Sequence, residues 1–328
     1  MGDPFVEQRA QRVEVTYRIA LPNRADRLDI VDANSTGVQH VLRRGGLASY
    51  EPPTMATLLT LFEQEADSLT FFDVGANMGL YSLVCAAMFD PVAVHAFEPT
   101  PATAAVARAA ARANQLNIEV VEVALSDING TATLHLSDNS DSSNSLAAGF
   151  KVSSTSVTVP VVRLDDHVAS SMVAPTVMKI DVETHEPAVL AGAAETIAEH
   201  RPFIVIEVLR RSGRDHGVEI NDAMGGLGYS CYELSADPDW VSRPTVTGAA
   251  KTTNRDWLLA PAPLPDDFAE RWSRWTDALA ACGPETNPRV PLWLTLRAVL
   301  RRGGLSEAAA VARRFLAGGY RERSGRSR

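Results

Sequence analysis

Acidic side chains stand where apolar strands give way to loops, and one histidine stands among them. The run Val177-Met-Lys179-Ile-Asp181-Val-Glu183 has strand character, and its period of two puts Lys179, Asp181 and Glu183 on one side with Asp181 near the carboxyl end. A second run, Phe203-Ile-Val-Ile-Glu207, also ends in an acid. Strands this apolar are buried, so a terminal carboxylate calls for a partner or a task. Glu207 is read as pairing with Lys179, or as sharing a divalent cation such as magnesium with Asp181. His185 opens the following helix, whose N-terminus disfavours imidazolium and leaves a neutral base. Thr184 is read as the N-cap of that helix, with Glu186 and Pro187 as favoured first-turn residues. Catalytic candidates are therefore His185 first, Asp181 second, and Glu207 through the cation.

What these groups would act on is set by an earlier stretch. An apolar strand, Leu69-Thr-Phe-Phe, runs into Asp73-Val-Gly75-Ala-Asn77-Met-Gly79-Leu-Tyr81-Ser82 and then into an apolar helix. Strand, glycine-bearing turn and helix in that order build a nucleotide cradle, with N–H groups open to a ligand. A further strand, Val92–Phe97, ends at Glu98, where a carboxylate would meet a ribose diol. The turn lacks the third glycine of a dinucleotide motif and opens on an acid. That suits S-adenosylmethionine, which has no phosphate and carries an ammonium and a sulfonium. An NAD-dependent oxidoreductase would need the missing phosphate turn, and a non-catalytic donor-binding protein would keep this site without turnover.

The elements that must position these residues follow a regular alternation. Helical spacing over Met55–Glu65 starts after Pro52-Pro53, alanine-rich Pro101–Asn114 is helical, and Asn117–Ser126 reads as a third strand. Ile220–Leu227 is an expected helix, and Gly228–Leu234 and Arg255–Ala260 are expected closing strands. The expectation is an α/β, Rossmann-like, doubly wound sheet of seven strands. Ligands in such sheets lie beyond the strands' carboxyl ends, placing Leu125 and Ser126 beside the adenine. Glu51 is read either as facing the cofactor's amino-acid end or as a surface acid at a helix start. Alternating strands at 131–136 and 156–162 flank the polar run 137–145, expected to be a disordered tip or a flap over the substrate.

Three parts are expected: a β-rich N-terminal segment (1–49), the sheet domain (50–261) and a helical extension with a basic tail (262–328). In the last, Phe268, Trp272, Trp275 and Leu279 recur at helical spacing, Pro291–Leu300 reads as a helix and Ser306 as a cap. This extension is expected to pack on the domain or, as a homo-oligomer interface, on a second subunit. Residues 301–328 hold eight arginines against two glutamates, so the tail carries +6 and the rest of the chain −15. An acidic body disfavours a nucleic-acid substrate, and no Asn-Pro-Pro-Tyr-like tetrad of DNA amino-methyltransferases is present. No apolar run long enough for a membrane span and no basic-then-apolar leader is seen, so the chain reads as cytoplasmic. Cys85, Cys231 and Cys282 are widely spaced, without a C-x-x-C pair, and read as reduced core thiols.

Taken together, Tyr50-Glu51, Asp73–Ser82, Ala96-Phe-Glu-Pro99, Ala124-Leu-Ser-Asp127, Leu164-Asp-Asp166, Lys179–Glu183 and Val205-Ile-Glu207 resemble the FkbM family of S-adenosylmethionine-dependent methyltransferases over residues 50–210. The resemblance implies a class I methyltransferase fold and donor contacts at Asp73, Gly75, Asn77, Gly79, Tyr81, Ser82 and Glu98. It also implies adenine beside Leu125 and Ser126, Asp181 near the reactive methyl, and O-methylation of a small-molecule hydroxyl, on a secondary metabolite such as a polyketide or a sugar-bearing natural product. One departure stands out: the family's Glu-Gly is here Glu183-Thr184.

Overall fold

The computed structural model describes residues 17–31, 36–136, 146, 155–211, 214–249 and 255–283. The expected flap at 137–145, the helices at 291–300 and after 306, and the arginine-rich tail lie outside these residues.

Seven strands form the central sheet: β1 (Thr70–Val74), β2 (Ala93–Phe97), β3 (Glu119–Val121), β4 (Val177–Ile180), β5 (Phe203–Glu207), β6 (Ser230–Glu233) and β7 (Asp256–Ala260). Their order is β6-β7-β5-β4-β1-β2-β3. β1 pairs in parallel with β2 and β4, β4 with β5 and β2 with β3, whereas β7 runs against both β5 and β6. One reversed strand next to the edge of an otherwise parallel sheet is the class I methyltransferase arrangement, an α/β Rossmann-like fold with helices on both faces. Every residue of β1, β4 and β5 is buried, as expected of parallel strands covered on two sides.

The order reverses between β1 and β4, so the carboxyl ends of these strands face a crevice where ligands bind in such sheets. Asp73, Glu98, Asp181 and Glu207 all lie at or next to those ends. The helix Pro52–Gln64, with proline in its first turn, leads into β1. Against it packs the helix Phe268–Ala280, where Trp272 donates from Nε1 to Thr57 Oγ1 at 3.1 Å and Trp275 to Glu63 Oε2 at 2.8 Å. Phe268, Trp272 and Leu279 are thereby buried within the chain. For this helix, packing on the domain is the arrangement found, one of the two expected.

Some boundaries differ from those read in the sequence. The third strand stops at Val121, where the Val123 N–H turns back to the Val121 carbonyl at 3.0 Å; Ala124–Leu125 joins a separate three-stranded sheet with Gly130–Leu136 and Thr155–Val162. The helix expected at 220 starts at His216, capped by Asp215 accepting from the Gly217 N–H at 2.9 Å. In the N-terminal segment a hairpin, Tyr17–Ala20 with Arg27–Ile30, is followed by an unexpected helix, Gly37–Gly45. A reciprocal capping box between Thr36 and Gln39 starts it.

Behind β2, His95 and His167 hydrogen-bond through Nδ1 and Nε2 at 3.1 Å, with His95 stacked on Phe72. Such a bond needs a donor and an acceptor, so both rings cannot be charged at once. Burial lowers both pKa values, against the pull of Glu119. The unfolded chain therefore binds protons that the fold refuses, and this contribution, intact above about pH 6.5, is lost as pH falls below it. Urea unfolding at pH 7.5 and 5.5 is expected to show a drop in stability for the wild type that His167→Phe reduces.

Candidate active site

The turn after β1 is held from both sides. Gly75 (φ +80°) and Gly79 (φ +77°) occupy left-handed backbone, as does Asn77 (φ +52°). A Cβ on Gly75 would lie 1.9 Å from the Asp181 carbonyl oxygen, so the end of β4 passes directly against the turn. The N–H groups of Gly75 and Ala76 both donate to Phe97 O at 3.0 Å, Asn77 N donates to Glu98 Oε2 at 3.0 Å, Met78 N to Asn77 Oδ1 at 2.8 Å, and Gly79 N to Ala76 O at 2.8 Å. Each donor of the turn is thus spent inside the protein. This corrects the expectation that N–H groups open onto a ligand, and it removes the anion nest that a pyrophosphate requires. A cofactor without phosphate fits this turn, and a dinucleotide does not.

Beside the turn lies an open cleft. Among the expected donor contacts, Gly75, Asn77, Tyr81, Glu98, Leu125 and Asp181 line it. Glu98 is buried, and Oε1 accepts from Thr100 N at 2.8 Å while Oε2 takes Asn77 N, so the carboxylate is fixed at the mouth of β2. Asp73, Gly79, Ser82, Ser126, Glu51 and Glu207 are not among the lining residues. Asp73 lies beneath the turn, where Oδ2 accepts from Ser82 N at 3.2 Å and Ser82 Oγ at 2.8 Å and so ties the first turn of the helix Leu80–Met88 to the strand. Burial raises its pKa, with Lys179 opposing. Glu51, itself in left-handed backbone (φ +41°), accepts from Tyr81 Oη at 2.7 Å and Arg255 Nη2 at 2.9 Å.

His185 lines the cleft and its Nε2 is 3.0 Å from Ser126 Oγ. Burial lowers its pKa, against Asp127, so the ring is neutral at pH 7. His185 itself, and not Thr184, occupies the cap position of the helix Glu186–Ala191, without a capping hydrogen bond from its side chain. Thr184 cannot serve there because the chain turns left-handed through Glu183 (φ +53°) and Thr184 (φ +81°). A β-branched residue at such a φ is strained by about 1–2 kcal/mol. Thr184→Gly is expected to raise stability by about 1 kcal/mol after the entropy cost of glycine, read as a shift in urea midpoint at constant m.

Lys179 pairs with Asp181, Nζ to Oδ2 at 3.0 Å, and Glu207 with Arg255, Oε1 to Nε at 2.9 Å. The expected Glu207–Lys179 pair is therefore replaced by two others. Burial opposes the charge of Lys179, yet Asp181, Glu51 and Asp73 hold its pKa above the ordinary value. Glu186, read in the sequence as helix-start grammar, is fully buried and accepts at Oε1 from Val182 N (3.0 Å) and Thr184 N (3.3 Å). Burial pushes its pKa up to about 8. Ligand oxygens of Asp181, Glu186 and Glu207 lie within 4.8 Å of one another. Asp256, also missed, accepts from Thr54 Oγ1 at 2.5 Å, and burial raises it to about 6.

Comparison with known proteins agrees with this geometry. Residues 73–231 match the family described as Methyltransferase FkbM domain. The 31-O-demethyl-FK506 methyltransferase FkbM of Streptomyces tacrolimicus is 31% identical over 166 aligned residues, covering 42% of this chain and 64% of that protein. Similar solved structures include the methyltransferase FkbM from Methylobacillus flagellatus KT (18% identity, 59% of this chain and 44% of that one, TM-score 0.40). Another is the SAM-dependent methyltransferase from Agrobacterium tumefaciens (11% identity, 77% and 72%, TM-score 0.42). The chain thus spans less than two thirds of the curated relative and under half of the Methylobacillus protein. Among the described residues no helix is long and apolar enough to cross a membrane. The matched stretch from Asp73 to Cys231, which carries the turn, Glu98, Asp181, His185 and Glu207, is similar to the FkbM methyltransferase domain family.

Proposed function

We propose that this protein is an S-adenosylmethionine-dependent O-methyltransferase acting on a hydroxyl of a small molecule, a secondary metabolite of the polyketide or sugar-bearing kind. The observation that carries the reading is the turn at 75–79, closed to phosphate and set beside a fixed Glu98 and a cleft that reaches Asp181 and His185. The name of the Streptomyces relative, which specifies a 31-O-demethyl substrate, supports oxygen as the acceptor atom.

Glu98 would hold the ribose hydroxyls, Leu125 would lie beside the adenine, and Asp181 would face the cationic end of the donor. When bound, the donor supplies an activated methyl group: its carbon–sulfur bond breaks as the carbon–oxygen bond forms, and the electron pair remains on sulfur. The protein's contribution is to hold the acceptor oxygen in line and to receive its proton. His185 is placed for the second task, neutral, on the cleft, and oriented by Ser126. Asp181 is paired with Lys179 at 3.0 Å, which leaves His185 as the group placed to take the proton.

Turnover on a panel of hydroxylated polyketides and glycosides, followed by the mass gain of one methyl, tests the reading. His185→Gln is expected to lower kcat by about 10²-fold or more with donor affinity kept within about threefold. Donor binding without methyl gain on any hydroxyl compound, or methyl gain on nitrogen, would overturn it.

A further inference from the structure

We propose that Asp181, Glu186 and Glu207 form a binding site for one divalent cation of the magnesium or manganese type. The three carboxylates come from separate places in the chain, the end of β4, the start of the helix Glu186–Ala191 and the end of β5, yet their ligand oxygens converge within 4.8 Å. With bond lengths of about 2.1 Å for magnesium and about 2.4 Å for calcium, opposed ligands stand about 4.2 and 4.8 Å apart. The 4.8 Å bound matches the longer of these, so a magnesium-type ion would draw the oxygens together by up to about 0.6 Å.

A second observation, independent of the clustering, points to a ligand. Glu186 Oε2 and Glu207 Oε2 are both buried and have no hydrogen-bond partner among the described residues. Their sister oxygens are engaged, Glu186 Oε1 by two backbone N–H groups and Glu207 Oε1 by Arg255. Buried carboxylate oxygens without a donor are costly, and the cost is offset by a proton or a cation. Lys179 and Arg255 each neutralise one of the three acids, but Glu51 and Asp73 add further negative charge around them. An all-oxygen set selects a hard cation over zinc or copper.

Asp181 provides the way in. Its side chain is 25% exposed and borders the cleft, whereas Glu186 and Glu207 close the site from behind. Three protein ligands leave positions for water and for an acceptor hydroxyl on the cleft side. That role deepens the proposed O-methyl transfer and rests on it; occupancy of the site does not.

The test is a titration of manganese(II) chloride into EDTA-treated, desalted protein, with unbound ion followed by electron paramagnetic resonance. One saturable site, displaced by magnesium, is expected on the wild type, with affinity at least tenfold weaker in Glu186→Gln and in Asp181→Asn. No saturable site on the wild type overturns the proposal, as does a site that both variants retain. Asp181→Asn, at a partly exposed position, keeps the comparison open should Glu186→Gln fold poorly. S-adenosylhomocysteine is titrated into the same samples. Nucleoside binding without a manganese site overturns the cation alone, and a manganese site without nucleoside binding overturns the methyltransferase reading alone.

Discussion

Replacing Gly75 with alanine is expected to cost about 3 kcal/mol or more of stability and to weaken donor binding beyond tenfold. Two causes add. The residue sits at φ +80°, which costs a side-chain-bearing residue about 1–2 kcal/mol. Its Cβ would also lie 1.9 Å from the Asp181 carbonyl, and no flexible side chain is there to yield, so the end of β4 must move at about 1–3 kcal/mol. The movement displaces Asp181, which lines the cleft. Gly79→Ala is the control. It shares the left-handed backbone (φ +77°), but its Cβ would meet only Ala107 Cβ at an ordinary 3.5 Å, so about 1 kcal/mol is expected. Urea unfolding of both variants measures the difference, and equal losses would mean that close approach to Asp181 is of no consequence.

The second large effect is expected at Arg255. This guanidinium joins Glu51 to Glu207 and so ties the start of the helix Pro52–Gln64 to the end of β5. Glu207 is only 2% exposed, and removing its partner leaves a buried carboxylate without a counter-charge. Breaking a buried pair from one side costs about 3–5 kcal/mol. Arg255→Met is therefore expected to lose about 3 kcal/mol at pH 7, because part of the arginine is solvated. Arg255→Met combined with Glu207→Gln is expected to recover more than 1 kcal/mol of that loss, since the stranded charge is gone. A double-mutant cycle by urea unfolding reads the coupling, and additive losses would show that the pair is not coupled.

The sheet was legible because its strands are apolar runs of the right length, and the turn at 73–82 because glycine spacing has few structural uses. Glu98, Asp181 and Glu207 were legible for a related reason: a carboxylate ending a buried strand is conspicuous. Glu186 was not. An acid in the first turn of a helix is ordinary grammar, and its burial follows from the left-handed path through Glu183 and Thr184, which brings the Val182 and Thr184 N–H groups onto it. Arg255 was equally silent, since its partner Glu51 lies 204 residues earlier in the chain. Asp73 was noticed for its type, but its tie to the helix start was not: Oδ2 accepts from the N–H and hydroxyl of Ser82, inside the turn. The helix at Gly37–Gly45 did leave a signal, the Thr36-x-x-Gln39 box ahead of Val38 and Leu42.

Central to the account is a donor site formed by the turn at 75–79 and Glu98. Calorimetric titration of S-adenosylhomocysteine into the wild type and Glu98→Ala, with NADH as a comparison ligand, tests it most directly. The account predicts one site per chain for S-adenosylhomocysteine, at least tenfold weaker binding in the variant, and no binding of NADH. Absence of S-adenosylhomocysteine binding to the wild type, or NADH binding in its place, would contradict it.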